Sequence, residues 1–276
     1  MSAQIKKAHA FRALHERDKA FIIPNPWDIG TARMLSSLGF EALATTSAGF
    51  AFSRGRPDYG VDRNEMLAHL AAIVAATSLP VSADLENGFG DEPEVAAETI
   101  KLAAVAGVVG GSIEDATSRT SEPIYDFAQA VDRVRAAAEA AHNLSFPFTL
   151  TARCENYLVG RADLRDTIER LQAYQEAGAD VLYAPGIRSK EDIAAVVGSV
   201  DRPVNVLMGL EGIRLNLAEL SQLGVKRVSV GSALSRAALG AFLGAANEMR
   251  EHGTFNFVDG AASSAQIGAL LKNFDV

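Results

Sequence analysis

Carboxylates gather where short apolar runs of this 276-residue chain come to an end. One run closes in Asp84-Leu85-Glu86-Asn87-Gly88 and the next in Ile113-Glu114-Asp115, while Asp58 sits in a long polar connection. If these runs are neighbouring parallel strands, Asp84, Glu86 and Glu114 crowd one pocket. Uncompensated carboxylates at that range raise one another's pKa. A hard divalent cation removes the conflict. Mg2+ prefers one or two carboxylates completed by waters and substrate oxygens, and Mn2+ suits the same donors. The competing reading of each acid, taken singly, is a helix cap or a surface pair with Arg.

A third run ends in Thr151-Ala152-Arg153-Cys154-Glu155-Asn156. The planar fork of Arg153 can hold a substrate carboxylate in two hydrogen bonds. An ion pair to the same acids is its other open role, and both can hold at once. Glu155 extends the polar network. Thr45-Thr46-Ser47-Ala48-Gly49 is a small-residue turn. Its N–H groups can face an anionic oxygen, or it is an ordinary tight turn. Asn205 offers a donor to a substrate carboxylate, with simple packing as the alternative. Alternation along the strand turns Cys154 away from the Arg153 side, against a nucleophilic role. Asp28 reads as a helix N-cap. No Gly-rich phosphate or dinucleotide loop follows the first strand, so ATP and nicotinamide are not indicated.

The elements that must position these groups alternate. Strands are predicted over 21–24, 42–45, 80–84, 109–114, 148–153, 181–184, 204–207 and 227–230. Helices are predicted over 29–38, 63–77, 93–106, 125–142, 164–177, 190–200, 214–223 and 232–251, with an N-terminal helix and a short one after Gly260. Gly39, Gly107, Gly178 and Gly224 stand where helices should close. Eight strand–helix units without a linker predict one (β/α)8 TIM-type barrel domain over 1–276, with a doubly wound open sheet as the alternative. Two connections are longer than packing needs, 47–62 and 116–123. Both leave strand C-termini and read as gating loops.

A net charge of -8, with Lys and Arg scattered, argues against nucleic acid and anionic membrane as partners. The single Cys154 excludes an intrachain disulfide and a Cys-rich metal site. The basic N-terminus lacks the apolar run of a signal peptide, and no segment approaches about eighteen uninterrupted apolar residues. A cytoplasmic protein is expected.

The ordered motifs 82–90, Ile113-Glu114-Asp115 and Ala152-Arg153-Cys154-Glu155, with Pro24-Asn25-Pro26-Trp27-Asp28 and Thr46-Ser47-Ala48-Gly49, resemble the isocitrate lyase/phosphoenolpyruvate mutase superfamily. The likeness runs over about 21–240. It implies a barrel whose eighth helix swaps with a neighbour, in homodimers or homotetramers. It implies Mg2+ and a small 2-oxo mono- or dicarboxylate as partner. By resemblance, Asp84 ligates the metal directly, and Asp58, Glu86 and Glu114 act through water. Thr45, Ser47, Ala48, Gly49, Asp84, Arg153 and Asn205 are the expected substrate-binding residues, and Asp58, Glu114 and Arg153 the expected catalytic ones.

The departures bear on the reaction. Lyases of the superfamily carry a Cys- and His-containing gating loop, whereas this chain has Ala116-Thr117-Ser118-Arg119-Thr120-Ser121-Glu122-Pro123. Phosphorus–carbon enzymes follow Glu-Asp with Lys, where Ala116 stands here. Glu86 replaces the usual Asp. The expected reaction is Mg-dependent C–C cleavage next to a 2-oxo acid through an enolate, with oxaloacetate decarboxylation the simplest case. Alternatives are methylisocitrate- or isocitrate-lyase-like retro-aldol cleavage, phosphonopyruvate-type chemistry, and a non-catalytic binder of a 2-oxoglutarate-like acid.

Overall fold

A computed structural model describes residues 2–272 and 274. Its strands are β1 (Phe21–Ile23), β2 (Leu43–Ala44), β3 (Val81–Asp84), β4 (Gly110–Glu114), β5 (Thr149–Arg153), β6 (Val181–Tyr183), β7 (Val204–Leu207) and β8 (Arg227–Ser229). Its helices are α1 (Ala3–His15), α2 (Ile29–Ser37), α3 (Ser47–Ser53), α4 (Arg63–Ala75), α5 (Pro93–Val105) and α6 (Phe127–His142). They continue with α7 (Leu164–Glu176), α8 (Lys190–Gly198), α9 (Leu217–Gln222), α10 (Ala233–His252) and α11 (Ser264–Leu271).

All strand pairs are parallel, in the order β1-β8-β7-β6-β5-β4-β3-β2. The ladder stops between β1 and β2, where Ala44 N–H donates to the Pro24 carbonyl at 3.1 Å and draws the seam together. The result is the (β/α)8 TIM-type barrel that the alternation predicts, nearly closed. Gly39, Gly107, Gly178 and Gly224 follow helices with positive φ, the left-handed closing position. Asp28 caps α2, accepting from Thr31 N–H at 2.7 Å.

Three differences from the sequence reading matter. The connection 47–62 is not all loop: Ser47–Ser53 forms α3, because Thr46 accepts from Gly49 N–H and so caps a first turn. Helix α6 starts at Phe127, since Asp126 is its N-cap. Helix α9 starts at Leu217, where Asn216 and Glu219 form a reciprocal capping box.

Apolar faces of the helices seal onto the outward side chains of the strands in two main clusters, with Cys154 fully buried in one of them. The lower mouth of the barrel is stoppered by α1. Phe11 is 0% exposed, and its ring meets His15 and Phe21 edge-on. Gly110 makes room for that stopper: a Cβ there would stand 2.8 Å from the Phe11 ring and 2.9 Å from the Thr149 carbonyl.

The eighth barrel helix behaves differently. Along α10 only Ser235 is buried, and Leu239, Phe242, Leu243 and Met249 face outward. The chain then returns so that Ser37 Oγ donates to the Leu270 carbonyl, setting α11 beside α2. Among the described residues no helix is long and apolar enough to cross a membrane.

Candidate active site

Parallel pairing places Asp84, Glu114 and Arg153 at the ends of β3, β4 and β5, with Glu114 in direct register with Arg153. A cavity of about 150 Å3 opens between these ends. One guanidinium gathers the acids. Arg153 Nη1 lies 2.8 Å from Asp84 Oδ1, Nη2 lies 2.9 Å from Glu114 Oε2, and Nε lies 2.9 Å from Glu155 Oε1. The ion pair open to Arg153 is therefore made, three times over. These carboxylates hold Arg153 firmly protonated against its burial.

Asp84 is fixed from the other side by β2 and α3. Ser47 donates to Asp84 Oδ2 from its N–H at 2.9 Å and from its hydroxyl at 3.0 Å. Thr45 Oγ1 accepts from Asp84 N–H at 2.9 Å. Thr45 and Ser47 thus position Asp84 while also lining the cavity. Ala48 lines it too, and its N–H finds no acceptor in the protein among the described residues. Gly49 departs from expectation. Its N–H is spent on Thr46 Oγ1 at 3.2 Å, and the residue does not line the cavity. The reason is that these residues form a capped helix start, so their N–H groups are shared among cap, Asp84 and cavity.

Glu86 is 5% exposed, with φ 50°, and its Oε1 has no hydrogen-bond partner. Burial first, and then the charges of Asp84 and Asp58, push its pKa up to about 8. Asp58 belongs to an exposed loop stretch but hangs over the cavity. Desolvation of its carboxyl and the nearby Asp84 raise its pKa. Burial likewise drives Glu114 up, and pushes Glu155 to about 6 against the pull of Arg153. Asp115 faces the back of the strands. It accepts from Glu155 N–H at 2.8 Å, from Tyr174 at 2.6 Å and from Arg170 at 3.2 Å, bracing the ends of β4 and β5.

Asn205 lies in the barrel interior with its amide engaged. Nδ2 donates to Ser229 Oγ at 2.9 Å, and Oδ1 accepts from Arg227 Nε at 3.0 Å. Sequence reasoning missed Arg227, which also lines the cavity, and Tyr59, whose hydroxyl donates to Glu114 Oε1. Arg227 and Ser229 flank outward Val228, so the two-residue period could have turned the Arg inward. Tyr59 left one signal, its place beside Asp58. Of the two long connections, among the described residues the first alone reaches the cavity wall. The second is tied elsewhere, with Arg119 2.7 Å from Asp91.

The model of the phosphoenolpyruvate phosphomutase family matches residues 11–250. The chain belongs to this family. A lyase/mutase of Burkholderia cenocepacia J2315 superposes with a TM-score of 0.95. It is 64% identical, over 99% of this chain and 98% of that one. The 2,3-dimethylmalate lyase of Eubacterium barkeri is 29% identical over 79% of this chain and 77% of its own. The oxaloacetate decarboxylase of Pseudomonas savastanoi pv. phaseolicola is 28% identical over 88% of this chain and 84% of its own. These two relatives thus act on small organic acids.

Proposed function

We propose that the protein is a Mg2+-dependent carbon–carbon lyase of a small 2-oxo acid, with oxaloacetate the first candidate. The supporting observation is the imbalance at the strand ends: Asp58, Asp84, Glu86, Glu114 and Glu155 surround the cationic Arg153, and Glu86 keeps a buried oxygen without a partner. That donor set fits a divalent ion, with Mn2+ as a substitute for Mg2+. Among the described residues no group of three or more Asp, Glu, His or Cys side chains is placed to hold a metal ion by itself. Mg2+ requires none, since it keeps waters and substrate oxygens in its shell. Asp84 would hold it directly, with Asp58, Glu86 and Glu114 acting through water.

When bound, Mg2+ supplies a Lewis acid for the 2-oxo and carboxylate oxygens of the substrate. The N–H of Ala48, at the start of α3, would share the charge of an enolate oxygen. Arg153 fixes the acids and offers a fork to a substrate carboxylate. Glu114 accepts the Tyr59 hydroxyl, and Asp58, its pKa raised, overhangs the cavity as a proton carrier. Similarity to 2,3-dimethylmalate lyase favours a second reading, retro-aldol cleavage of a substituted malate.

The bare outer face of α10 supports exchange of this helix with a second copy, in a homodimer or homotetramer. Purified protein with Mg2+ should release pyruvate from oxaloacetate faster than Mg2+ alone, and Asp84→Ala should abolish the excess. Cleavage of dimethylmalate or methylisocitrate alone would select the second reading. Cleavage of phosphonopyruvate would move the reaction to phosphorus–carbon chemistry. No turnover, with thermal stabilisation by 2-oxoglutarate, would make the protein a binder.

A further inference from the structure

The lower half of the same cavity carries a different charge. Arg227 is 5% exposed and lines the cavity from β8. Its Nε donates to Asn205 Oδ1 at 3.0 Å and its Nη2 to Thr151 Oγ1 at 2.9 Å, both neutral acceptors. Among the described residues Nη1 has no partner and no carboxylate pairs with this guanidinium, and desolvation lowers its pKa to about 10. A buried cation left without a counter-ion is strongly destabilising. The neighbouring groups are donors as well. Ser229 Oγ lies 3.5 Å from Tyr183 Oη on the donating side, which leaves the Tyr183 O–H free for another acceptor.

Depth sets the ligand. Arg227 reaches Thr151, two residues before Arg153 along β5, a rise of about 6.6 Å. That step is commensurate with the length of a four-carbon diacid.

We infer that Arg227, with Asn205 and Tyr183, forms an anion subsite at the barrel floor that receives a second carboxylate, so that the protein selects dicarboxylates over monocarboxylates of equal length. The inference rests on the oxo-acid reading above for its metal-held end.

The competing occupant is a water bridging Arg227 Nη1 to His15 Nε2, which also lacks a partner and lies within range of the Arg227 charge. Malate and 2-hydroxybutyrate, equal in carbon count and stable in solution, separate the two. Calorimetric titration of the full-length protein with Mg2+ should show malate binding about tenfold tighter or more. Arg227→Met should erase that preference while 2-hydroxybutyrate binds as before. If Arg227→Met does not fold, Arg227→Lys serves, keeping the charge without the fork and retaining part of the preference. No preference in the wild type, or one untouched at Arg227, overturns the subsite and leaves the water. Asp84→Ala and omission of Mg2+ report separately on the metal-held end. A malate preference that survives both but falls with Arg227→Met would sink the metal reading and keep the subsite.

Discussion

Two buried arginines share one cavity and live in opposite surroundings. At the rim, Arg153 is held by Asp84, Glu114 and Glu155. Lower down, Arg227 has only the neutral oxygens of Asn205 and Thr151. Burial alone therefore does not define what an arginine does. The rim has more negative charge than its protein cation can balance, and the floor has positive charge that no acid among the described residues balances. A ligand with a metal-chelating end and an anionic end suits both imbalances together.

Substitutions that break this contrast should differ in size and sign. Removing the rim cation is expected to hurt most. Arg153→Met leaves buried carboxylates facing one another, and urea unfolding should show a loss of about 3–5 kcal/mol. The loss should shrink at low pH, where those acids take up protons. Asp84→Ala comes next and acts on rate. Oxaloacetate turnover should fall by about three powers of ten, and equal Mg2+-dependent rates in both proteins would discard the direct-ligand role.

The floor should respond in the opposite sense. Arg227→Met exchanges an uncompensated buried charge for apolar volume, so its stability should be unchanged or about 1 kcal/mol higher. A loss as large as that of Arg153→Met would erase the contrast.

The smallest effect concerns His15 below the floor. Burial first, and then the Arg227 charge, lower its pKa from 6.5 to about 3. A depressed folded pKa means that the stability is fully present above the unfolded value and is lost as pH falls from about 6.5 towards 3. Acid unfolding curves should therefore flatten in His15→Gln. They should flatten partly in Arg227→Met, because His15 then protonates more easily.

Much of this was legible in the residues. Apolar runs followed by Gly-closed helices gave the barrel, because eight parallel strands covered on one face need that alternation. Asp84 and Glu114 were legible because an acid directly after an apolar run lands on a strand end. Helix α3 was not: Ser-Ala-Gly-Phe-Ala-Phe-Ser is short and contains Gly, and tertiary contacts hold it, the Thr46 cap, the Asp84 contact and the stacking of Phe50 on His69. The Gly49 role failed with it, since a turn and a helix start direct the same N–H differently. Tyr59 reaches Glu114 from a backbone at φ 59°, a conformation that pattern does not announce. Arg227 stayed hidden because a charged residue in a strand reads as surface until closure turns its face inward.

The Phe11 stopper makes the barrel a blind alley. Traffic is then expected from the side of Asp58 and Tyr59, which line the cavity. The fragment seated deepest must therefore be first in and last out, so the two halves of a cleaved substrate are expected to depart in a fixed order. Product-inhibition patterns would reveal that queue, with the floor-bound fragment competing directly against fresh substrate.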